Sequence, residues 1–494
     1  MIDTAALREK VLDLAIRGKL VPQDPNDEPA SVLLERIHEQ KLQMVREGKL
    51  KAKDVKDDTI IFKGDDNCYY EKFSDGTIKN IQDEIPFDLP NGWSWSRISS
   101  IGTTNIGLTY KPTEIADEGT IVLRSSNIKN GKIDLTDLVR VKTIIRENQF
   151  VEQNDIVICA RNGSKALVGK CAIFNLAMSE SVSFGAFMAI LRTAFYDYVY
   201  YFLNTQLFRN ILNSDDSKQI NQLTQDMLKN TLIPFPPQNE QRKIVTALNE
   251  IMHQISSIDN NANAVEHTKE VLKSRIIELA IQGKLVPQDE KDEPANVLLE
   301  RIRAERKAKL GKKYVESYIF KGDDNCYYEN NVNNPVEIPF VLPKNWAFSR
   351  LADIAWLEDG VKIDGEQLPY LDAKTIRGKQ TASMLSCGKV IEKGMQVILV
   401  DGENSGEVFE VPCRGYIGST FKVLQVSYGI EKSYVKLILD FYKNLFKDNK
   451  TGSAIPHLNK KIFKSLIVAI PPVGEQKLII EKVNLVTEIL KDGV

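Results

Sequence analysis

The chain has few of the residues that mark the commonest functional sites. Its six cysteines stand at positions 68, 159, 171, 326, 387 and 413 with no CxxC pair, and only four histidines accompany them. Those spacings do not fit a structural zinc site, so no metal is expected. Free thiols suit a reducing compartment, and a cytoplasmic protein is expected. No run of about 18 apolar residues occurs, so no transmembrane helix is expected. The opening MIDTAALREK has no apolar stretch of the kind a signal peptide needs. The net charge is only −2. A strong sequence-independent nucleic-acid binder is usually basic, so the balance speaks against that class. It leaves room for local basic faces, or for a reader that shares its grip with a partner.

Catalytic signatures are also missing. There is no HExxH or GxSxG, no glycine-rich loop after a strand of the kind that binds S-adenosylmethionine, and no phosphate loop. The nearest approach is GSKALVGKC at residues 163–171. It has five residues between its glycines where a phosphate loop needs four, and Cys171 replaces Ser/Thr. It reads as strand, turn, strand. No catalytic residue is assigned.

What the chain does have is a duplication. At 494 residues it exceeds one ordinary core, and two to four domains are expected. AIRGKLVPQD at residues 15–24 returns as AIQGKLVPQD at 280–289. The match extends over 15–37 and 280–302, with 19 of 23 positions identical. FKGDDNCYYE recurs unchanged at 62–71 and 320–329, EIPFDLPNGW (84–93) answers EIPFVLPKNW (337–346), and FPPQNEQ (235–241) answers IPPVGEQ (470–476). The order is the same in both copies, which chance does not produce. Between the EIPF and PP..EQ segments the copies diverge almost completely. Both divergent stretches read as short strands broken by Gly, Asn and Asp turns. One frame thus carries two different interiors.

Residues 239–282 read as one long helix, with Asn239 as its cap and Glu240 in the first turn, where the helix dipole favours an acid. Apolar residues recur at Ile244, Leu248, Ile251, Ile255, Ile258, Ala262, Val265, Leu272, Ile276 and Leu279, in alternating steps of four and three broken only by Lys269. That is the seam of a helix packed along another helix. The helix would be roughly 65 Å long. Ile479, Val483, Val486 and Leu490 repeat the first half of the seam, and Leu7, Val11 and Leu14 repeat its last part. Together they make a second, composite helix. The expected organisation has five segments: 1–20 and 473–494 as the halves of the composite helix, 239–285 as the central helix, and globular units at 21–238 and 286–472. The expected fold is α/β, with two units in pseudo-two-fold arrangement joined by a long antiparallel two-helix coiled-coil spacer. An ordinary coiled-coil scaffold explains the seam equally well, but not why matched units should differ only inside.

Two variable domains, each closed by a hydrophobic-PP-x-x-EQ element before a heptad helix, resemble the specificity subunit of type I restriction-modification systems. IPFPPQNEQRKIV (233–245), VAIPPVGEQKLII (468–480) and the two AI[RQ]GKLVPQD helix ends carry the resemblance. It implies that each variable domain is a target-recognition domain reading half of a bipartite, asymmetric DNA site. It also implies that the spacer sets the gap and docks two modification (methyltransferase) subunits, with restriction motor subunits in the full complex. S-adenosylmethionine, ATP and Mg would sit on those partners, and no cofactor on this chain. Neither PP element has the [NDS]PP[YFW] form that an adenine methyltransferase needs. Rival readings are a stand-alone DNA-binding or regulatory protein on the same frame, an enzyme with a site hidden in a variable domain, and a pure scaffold.

Base readout needs Arg, Lys, Asn, Gln and Ser on loops, with other basic residues on phosphates. The first domain offers Arg124, Ser125, Asn127 and Lys129, then Arg161, Asn162, Ser164 and Lys165, then Gln219, Asn221 and Gln222. The second offers Lys374, Arg377 and Lys379, then Asn404, Ser405 and Arg414, then His457, Asn459 and Lys460. Each is weighed against an ordinary solvated side chain. Tyr69, Tyr70, Tyr327, Tyr328, Trp93, Trp95 and Trp346 suit core packing better than base stacking. The charged stretches 33–53 and 298–313 read as amphipathic helices with a solvated face.

Overall fold

The computed structural model describes residues 2–52, 55–213, 222–451 and 456–492. The chain divides into two compact units, Met1–Ala262 and Asn263–Val494. The division falls inside a single helix, Gln238–Ile281.

In the first unit the helix Thr4–Ile16 is capped by Asp3, whose carboxylate accepts from Ala6 N at 2.9 Å. It stops at Gly18, which takes φ +64°, and Lys19 N returns to the carbonyl of Leu14. A Cβ on Gly18 would lie 2.5 Å from Pro90 Cγ and 3.1 Å from the Trp93 ring. The PFDLPNGW segment therefore seats directly on the helix end. Trp93 then donates its indole N–H to Glu240 at 2.9 Å, and the Gln241 amide folds back onto the carbonyl of Pro236 at 2.8 Å. These contacts explain the PP..EQ element: Glu satisfies a buried tryptophan, and Gln satisfies a carbonyl left without a helical partner. Asn239 does not cap the long helix as expected. The helix begins one residue earlier, at Gln238, and Asn239 donates to Asp27 instead. Glu240 is in the first turn but buried, and burial raises its pKa.

The second unit repeats this construction. Gly283 takes φ +69° against Pro343 and Trp346. Trp346 donates to Glu475 at 2.9 Å, and the Gln476 amide to Pro471 O at 3.1 Å. The strand after each tryptophan pairs antiparallel with the strand before each Pro-Pro: Ser94–Arg97 with Leu232–Phe235, and Ala347–Arg350 with Ile467–Ile470. The last arginine of each forms a two-pronged pair with the glutamate of CYYE, Arg97 with Glu71 and Arg350 with Glu329. In each GDDN turn the left-handed Asn67 or Asn325 reverses the chain, and Tyr70 or Tyr328 donates to Asp66 or Asp324. Trp93, Trp95 and Trp346 are core residues, and Tyr69 is buried beside Trp95 and Leu232. The charged stretches begin as helices, Ala30–Arg46 and Ala295–Leu310, that pack on their own units through Leu33 and through Leu298, Leu299 and Ile302.

The divergent interiors are layered alike. In the first unit Ile156–Cys159 lies inside a four-stranded sheet with Cys171–Ile173, Met188–Arg192 and Thr103–Ile106. Ile156 and Ile158 face a core shared with the helix Tyr196–Leu203, while Val157 and Cys159 face a second sheet through Ile121, Leu123 and Phe184. Burial on both faces explains the unbroken apolar run. In the second unit Gln396–Leu399 takes the same place, with Ile398 in one core and Val397 and Leu399 in another. A closed three-stranded sheet, Val361–Leu371, Met384–Ile391 and Gly415–Ile417, replaces the second sheet there.

Each unit packs a helix against its own part of the long one. In the first, Val11 and Ala15 share a core with Leu248 and Ile244, while Arg8 pairs with Asp259 at 2.8 Å, so the two helices run in opposite directions. In the second, Ile479 and Val483 of the helix Val473–Asp492 join Ile276 and Ala280. Ile255 is buried, and Leu14, Ile251, Ile258, Leu279, Val486 and Leu490 are half-buried. Burial varies along the seam. Leu7, Val265 and Leu272 are 37–46% exposed. Around Leu7 the contact is polar instead: Thr4 donates to Asp259 at 2.6 Å and Arg8 pairs with the same carboxylate at 2.8 Å.

Candidate nucleic-acid interface

The candidate readers of the first unit gather where the strand Ile156–Cys159 runs out. Ala160 N donates to the carbonyl of Phe187 at 2.9 Å, and Leu223 N donates to the carbonyl of Ala160 at 2.7 Å. An antiparallel bridge then sets Arg161 beside Gln222. Both side chains are exposed. The Arg161 guanidinium lies over the exposed Phe187 ring, 5.3 Å from its centre. Asn162 holds the next turn, accepting from Ser164 N at 3.0 Å, and reaches Ser125 Oγ at 3.3 Å. That bond joins two of the loops expected to read bases. Ser164 precedes the short 3-10 turn Lys165–Leu167. Strand, turn, strand is the observed form of residues 156–173.

The other candidates are spoken for to different degrees. Arg124 pairs with Asp137 at 2.7 Å, and Lys129 pairs with Asp134, whose carboxyl it helps hold well below the usual range. Asn127 is a correction. It is 1% exposed, its Oδ1 accepts from Arg124 N, and its amide donates to the carbonyls of Asp134 and Asp137. A side chain so used has nothing left for a base edge. Gln219 and Asn221 lie outside the described residues.

In the second unit the same backbone pattern recurs with other side chains. Val400 N donates to Thr420 O at 2.8 Å, Leu458 N to Val400 O at 2.8 Å, and an antiparallel bridge sets Asp401 beside His457. His457 Nδ1 lies 2.6 Å from the Asp401 carboxylate. Lys374 and Lys379 are exposed around the short helix Ala373–Ile376. Arg377 is half-buried, paired with Glu407 and stacked 5.2 Å from the Phe409 ring centre. Arg414 is held by Glu366 and Glu392. Asn404 is exposed. Ser405 is a second correction: it is 2% exposed, because the turn that displays Asn404 folds Ser405 inward. Asn459 caps the helix Lys460–Ser465, accepting from Lys461 N and Ile462 N, so its side chain serves the backbone.

Sequence reasoning passed over Phe187, Asp401 and Thr420, whose place is set by pairing between distant strands. It also passed over a cavity of about 630 Å³ lined by Trp356, Lys422, Lys460 and Lys464. Asp353 lies in its wall, and burial pushes its pKa up to about 6. Among the described residues, no cluster of three or more His, Cys, Asp or Glu could hold a metal ion, and no helix is long and apolar enough to cross a membrane.

The family described as "Type I restriction modification DNA specificity domain" matches residues 90–267 and 343–491, more than half of the chain. The chain is 26% identical to the Type I restriction enzyme EcoAI specificity subunit of Escherichia coli, over 97% of this chain and 88% of that protein. It is 28% identical to the EcoEI specificity subunit of Escherichia coli over 70% of this chain and 61% of that one. Against the EcoKI specificity subunit of Escherichia coli K12 it is 31% identical over 44% of this chain and 48% of the relative. A chain from a solved structure of the type I R-M system superposes with a TM-score of 0.55 at 16% identity, covering 82% of this chain and 93% of that one, which bears on the fold.

Proposed function

The chain belongs to the type I restriction modification DNA specificity family, and from that premise we propose that its two variable regions each read one half of a bipartite, asymmetric DNA site. Its role as the specificity subunit is recognition, not catalysis. The observation that carries the two-half reading is the repeated frame: the same glycine, tryptophan and PP..EQ contacts are built twice around unlike sheets.

A DNA groove returns to the same face every ~34 Å, so two readers need a fixed spacing and phase. A helix of 44 residues supplies a stiffer span than a flexible linker. Near neutrality of charge fits a reader that binds tightly only with partners. The helix Val473–Asp492 supports helical docking, for Leu478, Leu485 and Ile489 form a row that is 51–60% exposed. Two methyltransferase subunits, and restriction motor subunits in the full complex, are the partners we assign. S-adenosylmethionine, ATP and Mg then belong to those partners, and the assembly to the cytoplasm.

The test is a genome-wide map of N6-methyladenine in cells with and without this gene, alongside its modification subunit. A split motif with a fixed gap, lost on deletion, is the expected result. A methylation pattern that survives deletion unchanged refutes the reading.

A further inference from the structure

The two units present three side chains each from matched backbone positions. Phe187 and Thr420 are the residues whose carbonyls accept from Ala160 N and Val400 N. Gln222 and His457 precede the residues whose amides reach the carbonyls of Ala160 and Val400. Arg161 and Asp401 sit in the same antiparallel bridge. The scaffold is one; the trios are Arg161, Phe187 and Gln222 in the first unit, and Asp401, Thr420 and His457 in the second. All but the half-buried Asp401 are exposed. Where the frame repeats bonds, this site reverses charge.

We infer that this trio is the element that makes the two half-sites differ, Arg161 reading a guanine and Asp401 reading a cytosine. The inference rests on the DNA-reading role above. The Arg161 guanidinium lies on the Phe187 ring and, among the described residues, has no carboxylate partner. Among the described residues no acceptor engages its fork of donors, and the two adjacent acceptors O6 and N7 of guanine fit that fork. Asp401 is the opposite case. His457 holds one carboxylate oxygen, and the other accepts no hydrogen bond among the described residues. A free carboxylate oxygen selects an amino group in the major groove. Cytosine N4 offers one with no acceptor beside it on the same base, whereas adenine would turn its N7 lone pair toward the carboxylate.

The test uses the full chain assembled with its methyltransferase subunits, binding a DNA library randomised in both half-sites. The wild-type assembly is expected to select a split motif with a guanine in one half and a cytosine in the other. Arg161→Ala should lower discrimination at that one guanine roughly ten- to hundredfold and leave the second half-site intact. Arg161→Lys should keep affinity within a few-fold yet lose the guanine preference, because an ammonium lacks the fork. Asp401→Ala should relax only the cytosine. Unchanged base preferences overturn the inference. So does weakening that is uniform across all sequences, the signature of a phosphate contact. A wild-type assembly with no split motif overturns the DNA-reading role itself, and the inference with it.

Discussion

In the first unit Lys41 crosses from its helix to the carbonyl of Ser99 at 2.7 Å and meets the carboxylate of Asp58 at 2.5 Å. In the second, Arg306 crosses to the matching carbonyl, that of Ala352, at 2.6 Å, and the acid nearby is Asp353. The cation and the carbonyl keep their places. The acid comes from a different segment each time, and burial raises the pKa of both. A repeat of this kind preserves contacts that fix the backbone and lets other side chains drift. The same rule governs the tips of the sheets, where matched amide bonds carry Arg161 in one unit and Asp401 in the other.

The equivalence of the two frames can be broken most directly at the tryptophans. Trp93→Ala and Trp346→Ala each remove a buried ring and the indole donor of a buried glutamate, Glu240 or Glu475, the latter keeping the Gln288 amide at 2.6 Å. Each should cost its own unit about 3–5 kcal/mol in denaturant unfolding. Costs differing by more than about 2 kcal/mol would show that the frames are alike in outline only. The glycines come next. Gly18→Ala and Gly283→Ala each place a Cβ 2.5 Å from a proline ring at a left-handed position, and a loss of about 1–3 kcal/mol is expected. Calorimetry on the two variants should find similar shifts in unfolding temperature.

The acids sharpen the comparison through pH. The folded pKa of Asp353 is raised from 3.8 to about 6. Between those values the folded state holds a proton that the unfolded state has lost, so stability falls as pH rises through that window and stays lower above it. Asp353→Asn should remove that decline and stabilise the second unit near neutral pH by about 1–2 kcal/mol, a figure discounted for partial exposure. Unfolding midpoints measured from pH 4 to 8 decide it, and a variant as pH-dependent as the parent would refute the assignment. The smallest effect is expected at Lys460, exposed at the rim of the Trp356 cavity. If it meets a phosphate, Lys460→Ala should reduce the salt slope of DNA binding by about one and leave base preference alone. An unchanged slope would remove it from the interface.

Much of the frame was legible because its signals are local. Glycine after a periodic helix, Pro-Pro before another, and a tryptophan after a proline segment each have one ready physical reading, and their repetition aligned them. The candidate site was legible only in outline. Residue type and turn context point to Arg161 and Gln222, and the structure sets them side by side. The same features mark Asn127 and Ser405, which are buried. A polar residue in a turn looks alike in sequence whether it faces solvent or satisfies the backbone beneath it.

The sequence alone determined the duplication, the two unlike interiors and the long helix, since identity and periodicity are properties of the chain. Only the tertiary structure decided that Glu240 and Glu475 serve tryptophans, that Leu7, Val265 and Leu272 lie exposed, and that Asp401 stands where Arg161 stands in the other unit. Those outcomes depend on hydrogen bonds and burial between residues tens to hundreds of positions apart. Which distant partner wins is set by packing of the whole unit, not by spacing along the chain.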